Sequence, residues 1–266
     1  ADEKTGIHYR LLPMTRSIIA DLVDLPQAGE NVRLIHENLR CPDGVRLMDR
    51  PAPYDGGVSH LFRRAEQAAN VGREISLQYV HAHIRYIEAM CHLGRTEEAW
   101  KGLFQINPIL IQQAVPNATS RQSNLYFSSS EGAFLDRYQY EAEFDRLRDG
   151  SIEVNGGWRL YSSGPGIYLR QLVSGILGLR FFADRMEIAP HLPKEADGLR
   201  FTYHCFGKVH TFVYHLEGCE KGSVTVMCGD KQLPVVPVEN PYRKGGVSLA
   251  REVLEQCDRE IHIVLA

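Results

Sequence analysis

The segment Tyr161-Ser162-Ser163-Gly164-Pro165-Gly166-Ile167-Tyr168 places two hydroxyls and two glycines ahead of an apolar series at helical spacing, Leu169, Leu172, Val173, Ile176 and Leu177. Glycines let a backbone approach a ligand closely, and the first N–H groups of a helix point outward without intrahelical partners. With the helix dipole they form a site for an anion. The hydroxyls of Ser162 and Ser163 would add hydrogen bonds suited to a phosphate. By itself the pattern is also that of a serine–glycine helix cap holding no ligand, the commoner case.

A second group is His81 and His83 in Val80-His81-Ala82-His83. Residues two apart on a helix project about 200° from one another, so these rings cannot face one metal together. A zinc pair would use i and i+4 spacing, and no metal site is expected. One ring can face a pocket and donate to an anion; either can instead be a structural histidine. Carboxylates are plentiful: Glu66, Glu74, Glu88, Asp136, Glu141 and Asp145 all lie in or near polar segments. Glycosidic chemistry needs one acid placed to protonate a leaving oxygen, but spacing alone selects none of the six. Ser128-Ser129-Ser130 lacks the G-x-S-x-G setting of a serine nucleophile, and Gly164-Pro165-Gly166 lacks the rest of a dinucleotide fingerprint.

These groups need elements to hold them. Apolar residues at helical spacing mark helices through Ile18, Ile19, Leu22 and Val23, then through Val32, Ile35 and Leu39 up to the Pro42-Asp43-Gly44 turn. A third runs through Val80, Ile84, Ile87 and Met90 to a cap at Gly94. A fourth opens at Thr96, with Glu97 and Glu98 where negative charge suits the dipole, and ends near Asn107-Pro108. A helix after Gly166 should end at Gly178. Between them, residues 117–163 form a long polar stretch with several aromatics, among them Tyr126, Phe127, Phe134, Tyr138, Tyr140 and Phe144, which reads as a functional loop or a packed scaffold loop. Past Gly178 the period changes to two. Runs 199–203 and 209–214 flank Gly207 as a hairpin, 224–227 and 232–233 flank Gly229-Asp230, and 261–264 is a last strand. The expected organisation is therefore helical over 1–180 and an antiparallel β-sandwich or jelly roll over 181–266.

Composition narrows the class. The 266 residues carry 30 Lys and Arg against 33 Asp and Glu, so a dominant nucleic-acid role is not expected. No apolar run nears the ~20 residues that span a bilayer. The start, Ala1-Asp2-Glu3-Lys4, is neither a signal peptide nor an initiating Met, which suggests a processed chain or one cut from something longer. The six cysteines form no C-x-x-C pair, and reduced thiols of a cytoplasmic protein are expected.

Three segments, Tyr79-Val80-His81-Ala82-His83, Arg121 through Ser130, and Gly156 through Tyr168, together with the bridge Leu177–Arg180 to Met186–Pro193, resemble glycoside hydrolase family 94. That family comprises phosphorylases of β-linked sugars, and the resemblance is to its β-1,2-oligoglucan branch, with the phosphorylase domain of cyclic β-1,2-glucan synthases beside it. The resemblance implies part of an (α/α)6 barrel followed by the β domain. It implies inverting phosphorolysis, a glycosyltransferase-type reaction giving a sugar 1-phosphate, with inorganic phosphate as co-substrate and no cofactor. By position it implies phosphate contacts from His81, Ser162, Ser163 and Gly164, with Ser162-Ser163 standing where the family has threonine–glycine. Sugar contacts are implied at Glu74, and more loosely at Arg121, Tyr126 and Asp136. The partners are then a β-glucan oligosaccharide, phosphate and the missing N-terminal half of the enzyme, with a homodimer left open. The family's general-acid aspartate lies upstream of the histidine segment and outside this chain, which predicts that the chain alone is inactive. A hydrolase on the same barrel, or a non-catalytic carbohydrate-binding module, are the alternatives.

Overall fold

A computed structural model of the chain describes residues 3, 5–52, 76–121, 126–157, 163–218, 222–257 and 260–265, with Ser163 described in its backbone alone. It divides into two compact units, Ala1–Ala89 with Lys101–Leu169, and Met90–Trp100 with Arg170–Ala266.

The first unit opens with helices Leu11–Ile19 and Leu25–Asn38. The sequence pattern runs Ile18, Ile19, Leu22 and Val23 into one helix; the structure breaks it there. Asp24 caps the second helix by accepting from the Gln27 N–H at 2.9 Å, and Pro26 sits in its first turn, where no N–H is needed. Leu22 is consequently left 76% exposed. After the second helix a two-residue hairpin, Arg40–Cys41 with Gly44–Val45, turns the chain through Pro42-Asp43.

The next strand, Gln78–Tyr79, runs straight into the helix Val80–Leu93. This strand is the first of a three-stranded antiparallel sheet in the order Gln78–Tyr79, Ser129–Gly132, Val154–Gly157. Part of the stretch read as a long polar loop is therefore sheet. The short helices Arg137–Ala142 and Arg146–Asp149 lie between its second and third strands.

Helix Thr96–Gln105 follows a left-handed Gly94 (φ +75°), as its sequence signals require. The late helix begins at Ser163, earlier than the start expected after Gly166, and runs to Arg170. Pro165 is accommodated because it falls in the first turn. The helix continues as a π-helical turn, Gln171–Ile176, and is stopped by Gly178 (φ +69°), where a Cβ would overlap the Ala189 backbone.

From Leu179 the second unit is β-rich. One sheet has the order Val236–Pro237, Val247–Ala250, Arg185–Ile188, Leu179–Phe181; the other has Lys231–Gln232, Val224–Cys228, Ile261–Leu265, Lys208–His215, Arg200–Cys205. Alternation buries one face of each, with Met186, Ile188 and Leu249 in the first and Phe212, Tyr214, Val226, Ile261 and Ile263 in the second all fully buried. Both expected hairpins are present, turning at Phe206-Gly207 and Gly229-Asp230. The expected antiparallel pairing holds throughout except once. Ile261–Leu265 pairs in parallel with Lys208–His215, because the last strand returns between two strands already in place.

The cysteines depart from the all-reduced expectation. Cys228 and Cys257, 29 residues apart, form a disulfide across 6.2 Å between Cα atoms. No described helix is long and apolar enough to cross a membrane.

Candidate functional site

The three-stranded sheet of the first unit gathers the three segments that carry the sequence motifs. Its central register places Tyr79, Ser129 and Gly157 side by side, and Gln78, Ser130 and Gly156 in the next row. Two further backbone bonds extend it: the Val80 N–H donates to the Ser128 carbonyl at 3.0 Å, and the Ser128 N–H to the Gly157 carbonyl at 3.1 Å. The histidine helix thus starts at the sheet's edge. The strand Val154–Gly157 forms its other edge.

His81 stands in the first turn of Val80–Leu93 and is half-buried. Its Nδ1 is 3.2 Å from the Tyr79 hydroxyl, with the rings 5.6 Å apart. Burial, and secondarily the Arg85 guanidinium, hold its pKa below the usual histidine value. A neutral ring accepting from Tyr79 at Nδ1 carries its proton on Nε2, which is then a donor.

His83 points the other way and is fully buried. The Val45 N–H donates to its Nδ1 at 3.1 Å, and its Nε2 lies 2.9 Å from the Gly102 carbonyl. These partners fix the Nε2–H tautomer. Burial pushes its pKa down to about 4, against a smaller opposing effect of the Gly102 carbonyl. Of the two histidines, His83 does structural work, with both ring nitrogens held by backbone groups, whereas His81 is half-buried.

Tyr126 packs on Gly164: a Cβ at that position would overlap the phenol ring and its oxygen. The two residues, both singled out in sequence, are therefore in contact, and Gly164 is buried. Arg121 is half-buried and committed locally. It donates to Thr119 Oγ1 at 2.8 Å and to the Val154 carbonyl at 3.3 Å, and its guanidinium lies 5.0 Å from the centre of the Phe127 ring. Its side chain crosses Gly156. Asp136 is exposed and caps Arg137–Ala142, accepting from the N–H groups of Tyr138 and Gln139 at 2.9 Å each. Glu74 and Ser162 lie outside the described residues, and Ser163 is described only as the first residue of its helix.

Gln78 and Glu131 carry no sequence signal of a site, and neither the strand position of Ser129 nor the reason for Gly156-Gly157 is legible locally. A run of three serines has weak strand propensity and hides the alternation that would have marked 129–132 as a strand. A Cβ at Gly157 would overlap Ser129 and Glu131, and one at Gly156 would press closely on the Arg121 side chain that crosses it.

A further buried polar group lies in the same unit. Arg46, fully buried, donates to Asp43 at 2.8 Å and to Cys41 Sγ at 3.3 Å. Burial works most strongly against its charge, but the Asp43 carboxylate, together with Cys41 and Tyr140, outweighs it and keeps the guanidinium protonated.

In the second unit a cleft of about 620 Å³ opens among Gly94, Thr96, His191, Lys194, Arg243 and Gly245. Among its described lining residues are none of those predicted for phosphate or sugar, and no Phe, Tyr or Trp on which a sugar could stack.

The β-rich second unit is of the kind found in glycoside phosphorylases: residues 178–264 match the family described as glycoside phosphorylase C-terminal domain. Over 255 residues the chain is 54% identical to 1,2-beta-oligoglucan phosphorylase of Listeria innocua serovar 6a, covering 95% of this chain and 23% of that protein. Over 138 residues it is 30% identical to cyclic beta-(1,2)-glucan synthase NdvB of Rhizobium meliloti, covering 52% of this chain and 4% of that protein. The resemblance to glycoside phosphorylases read from the motifs is borne out. The chain spans less than a quarter of the length of either relative.

Proposed function

We propose that this chain is part of an inverting phosphorylase of β-1,2-linked glucans and carries its phosphate-binding side. The observation that supports this most is the convergence of the histidine, serine and glycine segments on one three-stranded sheet. In this reading the helices of the first unit are part of an (α/α)6 barrel. Phosphate sits against the first turn at Ser163-Gly164, where N–H groups of a helix have no intrahelical partners, with the hydroxyls of Ser162 and Ser163 and the Nε2–H of His81 as further donors. Burial keeps His81 neutral, and the Tyr79 hydroxyl orients it.

A phosphate oxygen attacks the anomeric carbon as the glycosidic C–O bond breaks, and the departing oxygen takes a proton from a carboxylic acid, releasing a sugar 1-phosphate. That acid is supplied from outside these 266 residues, so the chain by itself is inactive. Tyr126, beside Gly164, lies where an aromatic face would meet the sugar next to the phosphate. Glu74 and Arg121 complete the sugar contacts in this reading, Arg121 largely through the strand it braces. The cytoplasm, with its inorganic phosphate, is the compartment that goes with it.

The test has two arms. Titrating inorganic phosphate into the chain, followed by ³¹P NMR, should show binding that His81→Ala weakens about tenfold, the usual scale for one charge-assisted hydrogen bond. Incubation of the chain with β-1,2-gluco-oligosaccharide and phosphate should give no sugar 1-phosphate. No phosphate binding by the wild-type chain would overturn the assignment, and turnover by the chain alone would overturn the external acid. Cleavage that proceeds without phosphate would favour a hydrolase.

A further inference from the structure

Tyr79, Ser129 and Gly157 share one face of the three-stranded sheet, and Glu131 belongs to it as well, two residues beyond Ser129 on the same strand. The other face is closed: Gln78, Ser130 and Val154 are buried. The Tyr79 face is half-open, with Tyr79, Glu131 and Gly157 all partly accessible.

The Glu131 carboxylate does not simply extend into solvent. The Ser129 hydroxyl, itself buried, donates to Glu131 Oε1 at 2.8 Å. This draws the carboxylate over the bare backbone of Gly157, where any Cβ would overlap both Ser129 Oγ and Glu131 Oε1. Two residues of low side-chain freedom, Ser129 and Gly157, thus fix one carboxylate. Among the described residues no cation pairs with it. A held, unpaired, half-open carboxylate has spare acceptor capacity on Oε2, and two oxygens spaced as in a carboxylate match the two hydroxyls of a vicinal diol. Along the same face the next landmark is the Tyr79–His81 pair.

We infer that Glu131 is a sugar-binding residue, accepting from adjacent hydroxyls of the glucose unit that lies beside the phosphate. Ser129 positions it, and Gly157 makes room for it. The inference rests on the proposed phosphate site, whose His81 shares this face.

The experiment titrates the full chain and its variants separately with inorganic phosphate and with a β-1,2-gluco-oligosaccharide, by NMR or calorimetry. Glu131→Gln keeps an oxygen for Ser129 and hence the fold, but replaces the other acceptor by a donor. It should weaken oligosaccharide binding about tenfold or more while phosphate binding is unchanged. Ser129→Ala should weaken the sugar by a smaller factor, with a melting temperature within a few degrees of wild type. If the wild-type chain binds both ligands and Glu131→Gln alters neither, the inference fails and the phosphate assignment stands. Loss of both ligands in Glu131→Gln, or no oligosaccharide binding by the wild type, also overturns the inference. Absence of phosphate binding by the wild type overturns the underlying assignment and this inference with it.

Discussion

Tyr126 rests directly on Gly164, so that the glycine at the first turn of the Ser163–Arg170 helix has no room for even a methyl group unless the phenol moves. The contact couples the aromatic-rich segment to the helix N-terminus proposed to hold phosphate. Gly164→Ala should therefore displace Tyr126 or the turn, and lower phosphate affinity by about tenfold to a hundredfold, as misplaced binding groups generally do. The double variant Gly164→Ala with Tyr126→Ala should recover much of that loss in ³¹P NMR titrations, because the obstruction is gone. Equal affinities of single and double variants would show that the contact has no bearing on phosphate.

Acid should destabilise the chain through its buried imidazoles. In the unfolded chain a histidine takes up a proton near pH 6.5, whereas burial lowers His83 to about 4 and His191 to about 3. Between those values the unfolded state binds more protons. Stability is therefore complete above about pH 6.5 and falls as the pH drops toward 4, by something on the order of 3 kcal/mol for His83 alone. Urea midpoints measured from pH 7 to pH 4.5 should decline. His83→Gln, which can still accept from the Val45 N–H and donate to the Gly102 carbonyl, should show a shallower decline.

The buried pair Arg46–Asp43 makes a different prediction. Removing one partner leaves the other charge buried without compensation, so Arg46→Met should cost about 3–5 kcal/mol. Replacing both, Arg46→Met with Asp43→Asn, should cost less than Arg46→Met alone. Denaturant unfolding of the three chains checks the order.

Reduction of Cys228–Cys257 should lower stability by about 3–4 kcal/mol, the loop-closure value for residues 29 apart. Melts with and without dithiothreitol measure it. The loss should be absent from Cys228→Ser with Cys257→Ser, since that variant has no bond to reduce. Phosphate binding should be unchanged by reduction, because the disulfide joins elements of the second unit only.

Local sequence determined a good deal of this protein. The left-handed caps at Gly94 and Gly178, the acidic first turn of Thr96–Gln105 and the hairpins at Gly207 and Gly229 follow from rules that act over a few residues. So did the opposition of His81 and His83, since helical spacing alone sends them apart. What spacing could not say was which of the two would be buried. That was decided by Val45 and Gly102, which are 38 and 19 residues away from His83.

The sheet was hidden for the same reason. Ser129, Gly156 and Gly157 are poor strand formers, and only pairing gives them their conformation: Ser129 with Tyr79, some fifty residues earlier, and the two glycines with Ser130 and Ser129. The parallel return of Ile261–Leu265 and the Cys228–Cys257 bond are likewise products of which strands finally lie side by side. A carboxylate such as Glu131 is one of many in the sequence. It becomes distinct only when a buried hydroxyl and a bare glycine backbone hold it on an open face, and those neighbours are brought to it by the fold.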